Sequence, residues 1–445
     1  MDTEITRRRR GLLGLSPVAV FLLLYVAVSV AAGDFYAMPF AVALLVASVW
    51  AVIISRGTLA ERLEVFSRAA GHANIIYMIW VFILAGAFAA LAKEIGAVDA
   101  TVDLTLRLLP PQLLVPGMFV AACFISLAVG TSVGTVVALA PLAVEIARGA
   151  GVGVPFMTAV VLGGAFFGDN LSFISDTTIA ATRSQGCDMA DKFKANIAIV
   201  LPAALVTLGI YVAMSYGLAT QTHNAVGGVS AWLAVPYAVV VAMALLRFNV
   251  TLVLATGTLT AFVMGLWQGF GPLQLCGFMG GGIDGMGGLI VITLMSAGML
   301  GLVKACGGIE WLLGALTRHI GGIRGAEACV ALLVGLVNLC TANNTVAIIT
   351  VGSLTREIGG KYGIAPRTCA SLLDTCSCVV QCLIPYGAQT LLAASLAGIS
   401  PAAPFPYLYY PWALTVCVAA AIIFSRRRRT PTTADNRRKN AEKVS

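Results

Sequence analysis

Two polar stretches interrupt apolar segments that are long enough to enter a lipid bilayer. The first is GDNLSFISDTT, from Gly168 to Thr178, and the second is LDTCSCVVQCLIPYG, from Leu373 to Gly387. A charged side chain at membrane depth costs about 2.5 to 3.5 kcal/mol even on lenient insertion scales, so membrane proteins carry one mainly for transport or coupling. These stretches are therefore the candidate ion or substrate sites.

The spacing of oxygen-bearing side chains is the same in both stretches. They fall at i, i+3 and i+7, as Asp169, Ser172 and Asp176 in the first stretch and as Asp374, Ser377 and Gln381 in the second. On a helix this spacing brings the three side chains to one face. Carboxylate, amide and hydroxyl oxygens suit a hard cation such as Na⁺, and offer little to a soft metal. Because Na⁺ and H⁺ compete for the same carboxylate, the pattern predicts a site that exchanges one for the other.

The composition indicates a polytopic membrane protein. Of the 445 residues, 59% are hydrophobic and only 11% are charged, and the mean hydropathy is +0.92. Such a chain has too few charged residues to cover a water-exposed surface, and we expect it to lie in a lipid bilayer. The net charge of +8 comes from basic residues at segment ends, notably Arg7 to Arg10 and Arg426 to Arg429. This is a topology signal and not a nucleic-acid-binding pattern.

Enzymatic and metal-cofactor chemistry are not expected from the sequence. Hydrolase triads and zinc motifs are absent from it, and we predict neither a catalytic residue nor a cofactor. The eleven cysteines lie mostly in apolar segments and are expected to be reduced packing residues. Cys376, Cys378 and Cys382 form a cluster that lacks the histidines and the spacing of a soft-metal site.

The chain divides into two halves with the same series of six apolar segments. This series predicts an internal repeat of the kind that inverted-repeat transporters carry. We predict a first transmembrane repeat over 1–216, an external linker over 217–230, a second, inverted transmembrane repeat over 231–425, and a basic cytoplasmic tail over 426–445.

Local matches align the two halves. TSVGTV, from Thr131 to Val136, matches TANNTV, from Thr341 to Val346, and each is followed by a Glu-Ile pair and then by a proline. Beyond each proline D-x-x-S recurs, which aligns Asp169 with Asp374. The same alignment pairs Asp176 with Gln381.

The fourth apolar segment of each half is too long for a single crossing. A break of Gly, Thr, Ser or Asn divides it into arms of about 14 to 16 residues, which rise about 21 to 24 Å at 1.5 Å per residue. The hydrocarbon core is about 30 Å thick, so we predict re-entrant hairpins with their tips at the breaks. Irregular backbone at membrane depth needs a polar cavity around it. The tip residues expected to share a cavity with the aspartates are Thr131, Ser132, Thr135, Thr341, Asn343, Asn344 and Thr345.

Five crossings then remain in each half, and the positive-inside rule tests this count. With the amino terminus inside, the ten-crossing arrangement leaves only Lys93, Arg107 and Arg148 outside among the 28 Lys and Arg residues. If the hairpins crossed fully, seven more would move outside: Arg183, Lys192, Lys194, Arg247, Lys304, Arg318 and Arg324. The charge bias therefore favours an all-α protein of two inverted repeats, each with five transmembrane helices, one of them discontinuous, and a re-entrant hairpin.

The first polar stretch resembles a known family signature. GDNLSFISDTT, followed by RSQGCDMADKFKAN, resembles the G-D-K-x-S-P-x-S-D-T-T signature of the NhaC family of sodium/proton antiporters, and D-T-x-S followed by LIPYG resembles that family's second-repeat motif. The resemblance covers most of the membrane region. It implies a secondary transporter of the cytoplasmic membrane, with paired re-entrant hairpins. Two positions depart from the signature, because Asn170 stands in place of the usual Lys and Phe173 in place of the usual Pro.

Two functions stay open within transport. The first is exchange of Na⁺ for H⁺ across the cytoplasmic membrane, with both termini in the cytoplasm. The second is H⁺- or Na⁺-coupled transport of a small organic acid or amino acid, because relatives of this family include such exchangers and a fold does not fix a substrate. The oligomeric state is also open, with a homodimer as one arrangement.

The candidate binding residues come from both polar stretches and from the hairpin tips. Asp169, Asp176 and Asp374 are the candidate Na⁺ ligands. Ser172, Ser175, Thr177, Ser377 and Gln381 complete the set together with the tip residues. Since Gln381 cannot take up a proton near neutral pH, its alignment with Asp176 leads us to assign the exchanged proton to Asp176.

Overall fold

The computed structural model describes residues 2–32, 38–108, 110–173, 175–218, 230–246, 248–317 and 320–424. Every regular element in these ranges is helical. Nine stretches of the same ranges are long and apolar enough to cross a membrane, and four shorter helices are also apolar. The expected class, an all-α polytopic membrane protein, is confirmed. Most of the predicted linker and the basic tail lie outside the described residues.

The helices of the first half run in a fixed series. Their bounds are α1 Asp2–Ala32, α2 Phe40–Ile54, α3 Leu59–Ala70, α4 Ala73–Glu94, α5 Ala97–Leu108, α6 Pro111–Val129, α7 Ser132–Gly149, α8 Val154–Leu171, α9 Asp176–Gln185 and α10 Met189–Leu218.

The second half begins with a short 3₁₀ turn at Ala231–Ala234 and then repeats this series. Its helices are α11 Val235–Leu245, α12 Val250–Trp267, α13 Pro272–Gly285, α14 Gly287–Ala305, α15 Gly308–Thr317, α16 Gly322–Thr341, α17 Asn344–Tyr362, α18 Pro366–Leu383, α19 Ala388–Ala397 and α20 Tyr409–Ile423.

Several helices of one half pack on helices of the other half, and these contacts come in matching pairs. Helix α3 packs on α14, while its counterpart α13 packs on α4. Likewise α7 packs on α19, and α17 packs on α9. Helices at the same place in the two series thus contact each other's counterparts, as the predicted repeat requires. The orientation of each half in the membrane stays a prediction.

Helix ends correct the sequence alignment of the repeats. Helix α8 ends at the cap Ser172 and α18 at the cap Ile384. The caps at the far ends of α9 and α19 are Gly186 and Gly398. Their separation in sequence equals that between Ser172 and Ile384. With this register Asp169, and not Asp176, is the counterpart of Gln381. The motif alignment gives a different register, because D-x-x-S lies at a different height on α18.

The two predicted hairpins are pairs of helices with a sharp break between them. In α6–α7 the break is Gly130, which has the left-handed conformation (φ 74°), followed by extended Thr131. In α16–α17 it is Ala342 (φ 49°), followed by Asn343, whose side chain caps α17 by accepting from the Val346 N–H at 3.0 Å.

The predicted arm length of 14 to 16 residues is wrong. The arms contain 18 to 20 residues, so each rises about 27 to 30 Å and could span the hydrocarbon core. Arm length therefore does not argue for re-entrance. The position of the α6–α7 tip still favours re-entrance, because Ser132 contacts Asp169 near the middle of the 32-residue apolar stretch Val154–Gln185.

Small residues allow α6 and α8 to approach closely. A methyl group added at Gly164 or Gly168 would overlap Ala122 or Ser126 of α6. Close approach at small residues is a common way for transmembrane helices to associate. This crossing holds the end of α8, and with it Asp169, against the hairpin.

We predict opposite accessibility for α3 and α13, because an odd number of crossings separates them in the inverted arrangement. Glu64 of α3 and Gln274 of α13 are exposed. In a cysteine-free background, Glu64→Cys should react with an impermeant maleimide only from the cytoplasm and Gln274→Cys only from outside. A cysteine in the 217–230 linker should also react from outside. Labelling of both helices from one side would contradict the inversion.

Candidate functional site

A cavity of about 150 Å³ lies where the two hairpin tips meet the breaks of the two discontinuous helices. Ten of its lining residues belong to the predicted site: Thr131, Ser132, Asp169, Ser175, Asp176, Thr177, Asn343, Asn344, Thr345 and Gln381. The remaining lining residues are Tyr77, Met78, Val81, Gly130, Val133, Ala342, Ala388 and Gln389.

The cavity lining follows the relation between the repeats. Under the register that the helix ends give, the tip residues Thr131 and Ser132 correspond to Asn343 and Asn344, and all four line the cavity. The helix-break residues correspond in the same way, as Asp169 with Gln381, Asp176 with Ala388, and Thr177 with Gln389. Both halves therefore contribute a hairpin tip and a helix break to the cavity, while both carboxylates come from the first half.

The break between α8 and α9 presents the Asp169 carboxylate to the cavity. Ser172, the cap at the end of α8, and Ser175, the cap at the start of α9, both have extended backbone. The last carbonyls of a helix have no partner within it and can serve as ligands. The equivalent break after α18 has a different cause: Pro385 follows Ile384, and a residue before proline is driven out of the helical conformation.

Asp169 is a buried carboxylate held by hydroxyl groups. Ser132 Oγ donates to its Oδ2 at 2.9 Å, and Ser175 Oγ donates to its Oδ1. Thr177 Oγ1 lies 2.7 Å from Ser175 Oγ. One carboxylate and three hydroxyl oxygens thus converge, and this set matches the preference of a hard cation.

Asp176 occupies a different position on the same cavity. It begins α9 and is exposed, whereas Asp169 is buried. The amino-terminal end of a helix favours a negative charge, so α9 itself stabilises this carboxylate.

Five predicted residues do not line the cavity. Asp374, Ser377 and Thr135 lie in helices, where the two hydroxyls donate to carbonyls of the same helical turn, Asp374 O and Thr131 O. Thr341 donates to Asn343 O at 3.1 Å, and the Ser172 carbonyl accepts from Thr178 Oγ1 at 2.8 Å. None of these five residues is among those that line the cavity.

Asp374 forms a buried ion pair that the sequence did not suggest. Lys192 Nζ lies 2.6 Å from Asp374 Oδ2, and both side chains are almost fully buried. The ammonium also donates to Asn170 O at 2.8 Å and to Thr178 Oγ1 at 2.6 Å. Asn196 adds a hydrogen bond of 2.8 Å to the same carboxylate oxygen. This network joins α10 of the first half to α18 of the second.

Lys192, Asn196 and Gln389 were missed as functional candidates. Lys192 was counted among the topology charges, since it lies beside exposed Lys194 in the sequence DKFK. A helix-period argument offered one signal, because Lys192 and Asn196 are four residues apart and share a face. Gln389 carried no signal, as a lone glutamine in an apolar stretch has no diagnostic neighbours.

The cysteine cluster lies in the interior of α18. Cys376, Cys378 and Cys382 are buried free thiols of α18. No group of three or more His, Cys, Asp or Glu among the described residues has the geometry to hold a metal ion.

A multi-pass helical membrane protein with repeated helix breaks around an ion-sized polar cavity has the architecture of a secondary transporter. The chain belongs to the Na⁺/H⁺ antiporter family, whose sequence profile matches residues 12–216 and 218–425. The predicted NhaC family resemblance is thereby confirmed.

Curated relatives have different transported solutes. The chain is 24% identical over 362 residues to the Na⁺/H⁺ antiporter NhaC of Alkalihalophilus pseudofirmus, which covers 75% of this chain and 78% of the relative. It is 21% identical over 386 residues to the malate-2H⁺/Na⁺-lactate antiporter of Bacillus subtilis, covering 80% and 82%. It is 22% identical over 372 residues to the arginine/ornithine antiporter ArcD of Halobacterium salinarum, covering 76% of each chain.

We predict that Lys192→Met destabilises the protein strongly, because it leaves the Asp374 charge buried without its cation. Removing one partner of a buried ion pair costs about 3 to 5 kcal/mol. The unfolding midpoint of purified protein in detergent measures the effect. The double variant Lys192→Met/Asp374→Leu should recover part of the loss.

Lys194→Met is the matched control, since Lys194 is exposed on the same helix. Its unfolding midpoint should stay near that of the wild type. Equal midpoints for Lys192→Met and Lys194→Met would show that the ion pair does not stabilise the fold.

Proposed function

We propose that this protein exchanges Na⁺ for H⁺ across the cytoplasmic membrane and that Asp169 binds the two ions alternately. The observation that carries the proposal is the buried Asp169 carboxylate, held by two serine hydroxyls at a polar cavity between the repeats. Membership of the Na⁺/H⁺ antiporter family supports the same chemistry. Exchange of this kind needs no cofactor, and both termini would lie in the cytoplasm.

The charge of the cavity favours a cation over an organic anion. Asp169 and Asp176 line it, and none of its described lining residues is Lys or Arg. An organic carboxylate would therefore meet two negative charges without a compensating cation from the lining. The Lys192 ammonium is near, but it is engaged by Asp374, Asn170 and Thr178.

The cavity has room for a hydrated ion. Its volume is about 150 Å³, and one water molecule needs about 10 to 15 Å³ of such space. Pockets for drug-sized organic ligands are larger, about 300 to 1,000 Å³. A Na⁺ ion with one or two waters fits without rearrangement of the helix breaks.

The exchange follows from the hydrogen bonds of Asp169. With the carboxylate ionised, Na⁺ binds against its oxygens and the lone pairs of Ser132, Ser175 and Thr177. A proton on the carboxylate removes its negative charge and hence most of the attraction for Na⁺. The two ions thus exclude each other, and release of one permits binding of the other. Alternating exposure of the cavity to the two sides would complete the cycle.

Asp169 is a better candidate than Asp176 for the exchanging group. The earlier assignment to Asp176 depended on its alignment with Gln381, and the helix ends pair Gln381 with Asp169 instead. Asp169 is also the buried member, where a charge is costly unless a cation or a proton neutralises it. Asp176 would then attract Na⁺ to the cavity and contribute an outer ligand.

We predict that Asp169→Asn abolishes Na⁺-dependent proton flux in proteoliposomes, because the amide cannot alternate between a proton and Na⁺. Asp176→Asn should retain exchange with a raised KM for Na⁺. In the wild type the apparent Na⁺ affinity should fall as pH falls, by up to about tenfold per pH unit where the carboxylate protonates. Flux measured between pH 6 and 9 with a pH-sensitive dye tests each expectation.

Asp188→Asn is the matched control, since Asp188 is an exposed carboxylate outside the cavity. It should leave flux and its pH dependence unchanged. If Asp169→Asn exchanged ions like the wild type and Asp176→Asn lost exchange, Asp176 would be the carboxylate that binds Na⁺ and H⁺ alternately. Proton flux that requires added malate, lactate or arginine would support the alternative, coupled transport of an organic solute.

A further inference from the structure

A chain of hydrogen bonds crosses the cavity from one repeat to the other. Gln381 Nε2 donates to Ala342 O and to Gln389 Oε1, both at 3.0 Å. Gln389 Nε2 donates to Ser132 Oγ at 3.0 Å, and Ser132 Oγ donates to Asp169 Oδ2 at 2.9 Å. The chain therefore begins at one hairpin tip, passes through the second broken helix and the other tip, and ends on the carboxylate.

The direction of every bond in this chain is fixed by its two ends. A backbone carbonyl can only accept, so Gln381 must turn its NH₂ group toward Ala342. That group also faces Gln389, which must present its carbonyl oxygen and hence direct its own NH₂ group to Ser132. Ser132 then accepts from Gln389, and its hydroxyl hydrogen points to the Asp169 carboxylate. No amide can be flipped without placing two acceptors, or two donors, face to face.

This order of hydrogen bonds leaves one lone pair of Ser132 Oγ that takes part in none of them. A hydroxyl oxygen has two lone pairs and one hydrogen; Gln389 uses one lone pair and Asp169 accepts the hydrogen. We propose that Gln389 is a positioning residue that turns the remaining lone pair of Ser132 toward the transported cation. This inference rests on the proposed function, since the cation is the one that Asp169 binds.

The packing around the chain is specific to these amides. A methyl group at Gly387 would lie 3.0 Å from Gln381 Nε2, so the backbone of this break fits closely around the amide. Gln381, Gln389, Ser132 and Asp169 are all buried, and a buried polar group that loses its partner is costly. Ala342, whose carbonyl starts the chain, is the one non-glycine residue with positive φ in the described ranges.

The positioning role links the ion site of one half to the broken helix of the other. Ser132 and Asp169 belong to the first repeat, whereas Gln381 and Gln389 lie on α18 and α19 of the second. Movement of α19 relative to α7 would release Ser132 and so weaken cation binding on the first repeat. Gln389 is therefore also the contact through which rearrangement of one repeat changes ion affinity in the other.

A double-mutant cycle tests this role through the transport kinetics of the full-length protein in proteoliposomes. Gln389→Met keeps the length of the side chain and removes the donor; it should raise the KM for Na⁺ about fivefold, the order of one lost hydrogen bond, with kcat changed less than twofold. Ser132→Ala should raise the KM at least as much. Gln389→Met should have no further effect in the Ser132→Ala background.

Gln185→Met provides the matched control. Gln185 is also a buried glutamine of a broken helix, and it donates to Gly352 O at 2.9 Å away from the cavity. It should change the unfolding midpoint and leave the KM for Na⁺ at the wild-type value. An unchanged KM in Gln389→Met, or effects of Ser132→Ala and Gln389→Met that multiply in the double variant, would overturn the positioning role.

The four proteins of the cycle are also compared by their unfolding midpoints in detergent without Na⁺. They are the wild type, Gln389→Met, Ser132→Ala and the double variant. Failure of the proposed function appears as absent Na⁺-dependent flux in the wild type, whatever the midpoints. Coupling of Ser132 and Gln389 in the midpoints alone, with independent effects on KM in an active wild type, would reduce Gln389 to a structural contact. Coupling in both measurements is the expected result.

Discussion

The Asp169 carboxylate is a negative charge in a region that offers little water to solvate it. Such a group must be neutralised or surrounded by donors, because an unpaired buried charge would destabilise the fold by several kcal/mol. Ser132 and Ser175 provide the donors, and each lies at a point where the helix has been interrupted. The hairpin tip and the helix break are thus required together, since each delivers one hydroxyl to the same carboxylate. The small residues between α6 and α8 hold these two interruptions side by side.

The two halves share the positions of their hairpin tips and helix breaks, and they differ in the side chains at those positions. Hairpin tips and helix breaks correspond throughout the cavity, yet the position of Asp169 is occupied by Gln381 in the second half, and that of Ser175 by Gly387. The longer glutamine extends to the space where the first half has a serine, which explains its close approach to Gly387. One half carries the charge and the other carries neutral amides that orient its ligands.

Sequence reasoning reached the membrane class, the family and most of the cavity, because apolar run length, charge placement and polar residues at membrane depth are local properties. It located the breaks at TSVGT, TANNT and the two polar stretches for the same reason. It failed where the answer depends on register: D-x-x-S aligned Asp374 with Asp169, although the helix ends set them at different heights. It also failed for Lys192, since a lysine near a segment end is read as a topology charge unless its burial is known. The Gln389 contact joins residues far apart in sequence and has no local pattern.

The ion pair between Lys192 and Asp374 limits which parts of the molecule can move. It joins α10 of the first half to α18 of the second through two almost fully buried side chains, so separating these helices would leave two uncompensated charges. Rocking of the halves as two separate rigid bodies is therefore opposed along this contact. The hairpin tips, by contrast, are held at the cavity by a few single hydrogen bonds. Rearrangement that opens the cavity to one side and then to the other should consequently run through the hairpins, with α10 and α18 as the fixed frame.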